Sequence, residues 1–84
     1  MVKLYGFNEC PYCKELREML TKNEIQFIYV DINLPENEEE FNKVLDASKS
    51  DEVPIVKVGN QLLIPNISFK TIKEAAELTK KFLV

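Results

Sequence analysis

Two apolar, β-prone runs with a helical pattern between them limit the possible folds more than any other feature of the chain. The runs occupy residues 2–7 and 26–32, and the second contains four consecutive apolar residues, which is typical of a strand covered on both faces. Between the runs, Cys13, Leu16 and Leu20 follow the i, i+3, i+7 spacing of a buried helix face. We therefore expect a right-handed strand–helix–strand unit with parallel strands.

Residues 35–48 predict a second helix. Pro35 could start it, or Asn37 and Glu40 could form a capping pair, and acidic side chains fill the first turn. The acidic run 38–40 could bind a cation, but we favour a solvated helix start that complements the helix dipole. The predicted buried stripe of this helix consists of Phe41, Val44 and Leu45.

The last third of the chain predicts a β-hairpin and a closing amphipathic helix. Gly59 and Asn60 separate two short apolar runs, which is a two-residue signal for an antiparallel hairpin. The predicted order is strand, helix, strand, helix, strand, strand, helix, which gives an α/β fold with a four-stranded mixed sheet and helices on both faces. With 84 residues we expect a single domain, residues 1–84. The apolar face of the closing helix is predicted to contain Ile72, Ala75, Ala76, Thr79, Phe82 and Leu83.

Cys10 and Cys13 are the candidate catalytic residues. If the first helix begins near Pro11, Cys10 lies at its N-terminus, where unpaired N–H groups and the helix dipole stabilise an anion. Because the thiolate is the reactive form of cysteine, Cys10 is predicted to be an accessible nucleophile. Cys13 follows one turn later on the apolar stripe and is the predicted resolving thiol. Glu9 weakens the stabilisation of the anion, and Lys14 is the nearest base in sequence.

Three other uses of the two sulfurs are less consistent with the sequence. A structural disulfide between residues so close together would close too short a loop to stabilise the fold much. A structural zinc site takes four Cys or His ligands, and with two cysteines and no histidine it could form only between copies or with added ligands. A Cys–His hydrolase is excluded because the chain has no histidine. We therefore predict redox chemistry and no metal ligands.

Composition limits the partners and the compartment. The net charge is -3 and charges of both signs alternate along the chain, so we expect no surface for nucleic acid. The start of the chain does not resemble a signal peptide, and its apolar runs are far shorter than the ~20 residues of a membrane span. A lone C-x-x-C near a strand–helix pattern is typical of a reducing compartment, so we expect a cytoplasmic protein without a membrane partner.

The motif CPYC after a first strand, followed later by EVPIVKVGNQLLI, resembles the glutaredoxins, a family with the thioredoxin-like fold. The resemblance spans almost the whole chain. It implies a dithiol oxidoreductase that reduces protein or glutathione mixed disulfides, with glutathione as co-substrate, no tightly bound cofactor and a monomeric state. It also implies that Pro54 is cis and lies opposite the dithiol, that Val53 offers its backbone to the substrate, and that Pro11 and Tyr12 border the site.

The sequence also departs from the glutaredoxin pattern. Pro65 and Asn66 stand where the family usually has two glycines, and Asn8 with Glu9 replaces a lysine before the motif. Ser68, or else Thr71, could cap the last helix and present N–H groups to a ligand carboxylate.

Two alternative functions therefore stay open beside glutathione-dependent reduction. One is a glutaredoxin-like redoxin that is reduced by thioredoxin reductase and donates electrons to ribonucleotide reductase. The other is a carrier of an iron–sulfur cluster held by Cys10 and glutathione.

Overall fold

The computed structural model describes residues 1–83, which form a four-stranded sheet and three α-helices. The sheet order is β2-β1-β3-β4, with β1 parallel to β2 and β3 antiparallel to both β1 and β4. The predicted mixed sheet, its element order and the antiparallel hairpin are confirmed. The strands are β1 (Val2–Gly6), β2 (Ile28–Asp31), β3 (Ile55–Val58) and β4 (Gln61–Leu63), and the helices are α1 (Pro11–Lys22), α2 (Glu38–Ser48) and α3 (Ile72–Phe82).

One face of the sheet is covered by α1 and α3, which pack against β1 and β3. This larger core contains Leu4 and Val56 from the strands, Leu16 and Leu20 from α1, and Ala75 from α3, all fully buried. The apolar stripe predicted for α1 is therefore the surface that fixes the helix on the sheet. Because the first turn of α1 is part of the same packed helix, the position of the two cysteines depends on this core.

The opposite face is covered by α2 and contains a polar network at its edge. Val44 packs there against Tyr5, Val30 and Ile55. Glu40 accepts hydrogen bonds from Lys3 Nζ at 2.9 Å and from Tyr5 Oη at 2.7 Å, so the first turn of α2 is tied to β1. The sequence assigned Glu40 to a solvated helix start, which is wrong for this side chain.

The start of α2 also differs from the predicted capping pair. Pro35 opens a short 3-10 turn, Pro35–Asn37, and the α-helix begins after it at Glu38. The Asn37 amide donates to the Asp31 carbonyl at 2.9 Å, and Glu40 is engaged by β1, so these two side chains form no capping box with each other. Both are used to hold the helix against the sheet.

The ends of two predicted elements are more exposed than the sequence indicates. β2 is an edge strand, and Ile28 is 46% exposed, so the expectation of a strand covered on both faces is wrong there. Phe82, the last residue of α3, and Leu83 after it are 43% and 45% exposed, so the prediction that both belong to the buried stripe is wrong. The rest of the predicted α3 stripe is buried.

Candidate functional site

The first turn of α1 holds Cys10 as its N-cap residue. Its backbone is extended, with φ -81° and ψ 114°, and Pro11 occupies the first helical position as predicted. The Cys10 Sγ accepts a hydrogen bond from the Cys13 N–H at 3.2 Å, so the sulfur takes the place of the oxygen that usually caps a helix. The sulfur that accepts this bond lies at the N-terminus of α1, where the first N–H groups of the helix point.

The two sulfurs differ in environment, although both are buried. Cys10 has 6% of its surface exposed, which is less than the accessible sulfur that the sequence predicts, and Cys13 has none. Burial, followed by the hydrogen bond with Cys10, raises the pKa of the Cys13 thiol to about 12. Cys13 is therefore a protonated thiol at neutral pH, and the small exposed surface of the pair belongs to Cys10.

Gly6, the last residue of β1, provides the space for Cys13. An ideal Cβ added at Gly6 would lie 2.6 Å from the Cys13 Sγ and 3.0 Å from its Cβ, both closer than carbon and sulfur atoms normally approach. Sequence reasoning missed this residue, although a lone glycine inside a strand pattern is a signal for close approach. The strand and the helix thus meet at the resolving sulfur.

A cleft of about 620 Å³ contains three of the five predicted binding residues, and neither cysteine nor Pro11 is among the residues that line it. Tyr12, 62% exposed, forms part of its wall, together with Val53 and Pro54. The Val53–Pro54 peptide bond is cis, as the family resemblance implies. The other lining residues are Glu15, Glu52, Pro65, Asn66, Phe69, Lys70, Thr71 and Ile72.

Ser68 is placed differently from the sequence expectation. Its hydroxyl accepts a hydrogen bond from the Ile64 N–H at 3.0 Å and so closes the loop between β4 and α3, outside the residues that line the cleft. Thr71 caps α3 instead, in a capping box with Glu74. The reason is local, since Ser68 satisfies a backbone donor four residues earlier in its own loop.

The segment that replaces the two family glycines has a defined geometry. Asn66 has a φ of 64°, a left-handed conformation that asparagine tolerates better than most residues. Its amide Nδ2 donates to the Glu52 Oε2 at 2.8 Å. This bond connects the two walls of the cleft and holds a carboxylate at its edge. Neither Glu52 nor Asn66 was predicted as a site residue.

Comparison with known proteins identifies the class. The glutaredoxin family model matches residues 2–63 of the chain. A glutaredoxin-like 8.6 kDa protein in the rubredoxin operon of Clostridium pasteurianum is 30% identical over 64 residues, which cover 76% of this chain and 83% of that protein. The fold and the family match thus place the chain in the thiol–disulfide oxidoreductase family with the thioredoxin-like fold. The chain belongs to the glutaredoxin family.

Solved structures agree with this assignment. The crystal structure of a glutaredoxin from Archaeoglobus fulgidus aligns with a TM-score of 0.70 at 28% identity, over 92% of this chain and 83% of that one. A thioredoxin-like protein aligns with a TM-score of 0.71 over 93% of this chain and 97% of its own, and at 19% identity it supports the fold alone. In residues 1–83, none of the helices has the length and apolar character needed to cross a bilayer.

Proposed function

We propose that this protein reduces disulfide bonds in other proteins by dithiol exchange, with Cys10 as the attacking sulfur and Cys13 as the resolving sulfur. The observation that supports this most is the asymmetry of the pair. Cys10 caps α1 and is the only one of the two with any exposed surface, whereas Cys13 is sealed and its pKa is raised by burial. A substrate therefore meets Cys10 first.

The exchange proceeds in two balanced steps. The Cys10 thiolate attacks one sulfur of the substrate disulfide, the substrate S–S bond breaks, and the departing thiolate takes up a proton. Cys13 then loses its proton and attacks the Cys10 sulfur, which forms the Cys10–Cys13 disulfide and releases the second substrate sulfur as a thiol. Two electrons have passed from the protein to the substrate, together with one proton from Cys13 and one from the solvent.

We further propose that the electrons that regenerate the dithiol come from a protein of the thioredoxin reductase kind. Glutathione, which the family resemblance favours, carries two carboxylates, so its site needs donors or bases. The cleft contains Glu15 and Glu52 against one base, Lys70, within the described residues 1–83. Two carboxylates against one base in the lining oppose the binding of an anionic ligand.

The start of α3 strengthens this argument. Glu74 Oε1 accepts hydrogen bonds from the N–H groups of Lys70 and Thr71, both at 3.1 Å. The Glu74 N–H in turn donates to the Thr71 hydroxyl at 3.1 Å. A carboxylate of the chain itself thus occupies donors that a ligand carboxylate would use. Glutathione would have to compete with Glu74 for this position.

A coupled assay that follows NADPH consumption tests both parts of the proposal. With a disulfide-containing protein as acceptor, we expect turnover with thioredoxin reductase and little with glutathione and glutathione reductase. Cys10→Ser abolishes turnover in either system. Turnover with glutathione alone as the electron source would contradict the proposed reductant, and equal activity of Cys10→Ser and the parent would contradict the proposed dithiol exchange.

A charge variant tests whether the cleft selects the reductant. Glu52→Gln removes one negative charge and keeps an oxygen that accepts the bond from Asn66. We expect the rate with glutathione to rise up to about fivefold, the value for unit charges about 4 Å apart in water. Glu18→Gln is the matched control, because Glu18 is exposed on α1 outside the cleft. An equal effect of the two variants would show that net charge, and not the cleft, is responsible.

A further inference from the structure

The hydroxyl of Tyr29 is sealed inside the protein without a hydrogen-bond partner. Within residues 1–83, the Tyr29 Oη is the one buried side-chain oxygen or nitrogen atom that forms no hydrogen bond. An unpaired buried hydroxyl is costly, and native structures contain few of them. The ring of Tyr29 is partly buried and packs against the core between the sheet and α1.

The surroundings of the hydroxyl place it beside the resolving sulfur. The Cβ position of Gly6 lies 3.5 Å from the Tyr29 Oη and 2.6 Å from the Cys13 Sγ, so the two groups flank one glycine. Tyr29 lies on β2, in register with Leu4 of β1, on the face covered by α1. The Tyr29 hydroxyl and the Cys13 sulfur are therefore both neighbours of Gly6, where β1, β2 and α1 converge.

Arg17 fixes the ring from the other side. Its guanidinium carbon lies 4.1 Å from the ring centroid, a cation–π contact that also places a positive charge over the phenol. Cys10 and Cys13 on α1 and Asp31 on β2 are the other ionisable groups that act on the hydroxyl. The pKa of Tyr29 is raised, first by burial, so the hydroxyl stays protonated and is a hydrogen-bond donor at neutral pH.

The second step of the exchange creates a need for such a donor. Cys13 is fully buried, and it must carry negative charge as it attacks the Cys10 sulfur. The Cys13 N–H is already directed to the Cys10 Sγ at 3.2 Å. A donor that is held in place near the developing charge, in a site that excludes water, stabilises the transition state strongly.

We propose that Tyr29 is a positioning residue for the resolving step, whose hydroxyl donates a hydrogen bond to the Cys13 sulfur as that sulfur loses its proton and attacks the mixed disulfide at Cys10. This inference rests on the proposed dithiol exchange. The tyrosine keeps its own proton. The proton lost by Cys13 ends on the substrate sulfur that leaves Cys10, so one S–S bond breaks, one forms, and charge balances. The unpaired state of the hydroxyl in the reduced protein is the resting state of this donor.

The test separates the two steps with 5,5′-dithiobis(2-nitrobenzoate) and stopped-flow absorbance. Attack of Cys10 releases the first coloured thiolate at a rate that depends on reagent concentration. Resolution by Cys13 releases the second coloured thiolate at a rate that does not depend on reagent concentration. For Tyr29→Phe we expect the first phase to stay within twofold of the parent and the second to slow by about 10-fold, the loss of one hydrogen bond to a charged group.

The pH profile and the stability give readouts that a merely structural role would not produce. The second phase of Tyr29→Phe should rise with pH along a curve displaced by about one pH unit to higher pH. Its thermal midpoint should equal or exceed that of the parent, because the variant loses an unpaired polar group and keeps the ring under Arg17. Tyr5→Phe is the matched control. It removes a buried hydroxyl that is bonded to Glu40, so it should lower the thermal midpoint and change neither phase.

The outcomes are decisive in both directions. An unchanged second phase in Tyr29→Phe, or equal slowing of both phases, overturns the role of Tyr29 while the dithiol exchange stands. Absence of the first phase in the parent overturns the dithiol exchange itself.

Arg17→Met keeps an apolar cover on the Tyr29 ring and removes the positive charge. We expect it to slow the second phase about threefold, and an unchanged rate in both variants would rule out the inference even if one of them is poorly folded.

Discussion

Replacement of Gly6 by alanine tests the packing of the dithiol against the sheet. The added methyl carbon would lie 2.6 Å from the Cys13 Sγ, and ordinary contact requires roughly 3.5 to 4.0 Å, so atoms must move by about 1 Å. The neighbour cannot turn away easily, because Cys13, Leu16 and Leu20 are all fully buried between α1 and the sheet. We expect Gly6→Ala to lower the free energy of unfolding by about 1 to 3 kcal/mol, the usual cost of overpacking.

Urea unfolding of the reduced protein measures this change, and the thermal midpoint should fall by about 4 to 8 °C per kcal/mol. The displaced sulfur should also slow the resolving phase with 5,5′-dithiobis(2-nitrobenzoate). Gly59→Ala is the matched control, since Gly59 has a φ of 59° and open space around it. It should cost roughly 1 to 2 kcal/mol through backbone strain and leave the resolving phase unchanged. A Gly6→Ala variant as stable as the parent, with normal resolution, would refute the reasoning.

Three further predictions concern the polar network, the helix cap and the buried thiol. The hydrogen bonds from Lys3 and Tyr5 hold the pKa of Glu40 below its ordinary 4.5. These bonds therefore stabilise the folded protein fully above pH 4.5, and the stabilisation is lost as the pH falls through the lowered pKa of Glu40. Glu40→Gln should therefore cost about 0.5 to 1 kcal/mol at pH 7, discounted for exposure, and the cost should shrink as the pH falls below 4.5, by urea titration over that range. Thr71→Ala should cost about 1 kcal/mol in thermal unfolding through loss of the α3 cap, and Thr71→Ser should restore it. The pKa of Cys13 is raised from 9.0 to about 12 in the folded protein, so the unfolded chain loses this proton at a lower pH. The free energy of unfolding of the reduced parent should therefore fall as the pH rises above about 9, by at most ~1.4 kcal/mol per pH unit. Cys13→Ser should show a smaller fall.

The sequence predicts the fold well because the residues with the clearest local patterns are also the residues that form the tertiary contacts. The stripe of Cys13, Leu16 and Leu20 is the surface that packs on the sheet, and the Gly59 turn joins β3 to β4 as expected. The errors fall where a strand or helix meets the edge of the protein. The exposure of Ile28 depends on the position of β2 in the sheet, and that position is set by strand order and not by local sequence.

The candidate site is less predictable than the fold. Cys10, Cys13 and Pro54 could be identified because a motif and a family resemblance mark them. Glu52 and Tyr29 could not, because the role proposed for each depends on a neighbour distant in the chain. Glu52 is bonded to Asn66, and the Tyr29 hydroxyl lies across Gly6 from Cys13. Ser68 was assigned to the site for its residue type, yet its own loop uses the hydroxyl.

The burial of the two sulfurs affects how Cys10 responds to oxidants such as peroxide. Peroxide that reaches the Cys10 thiolate converts it to a sulfenic acid, and further oxidation to sulfinic acid is irreversible for most proteins. Here the Cys13 thiol lies one helical turn away, and only 6% of Cys10 is open to a second peroxide molecule. Condensation of the sulfenic acid with Cys13 expels water and gives the same disulfide that forms in turnover, so we expect damage to be diverted into a reducible state.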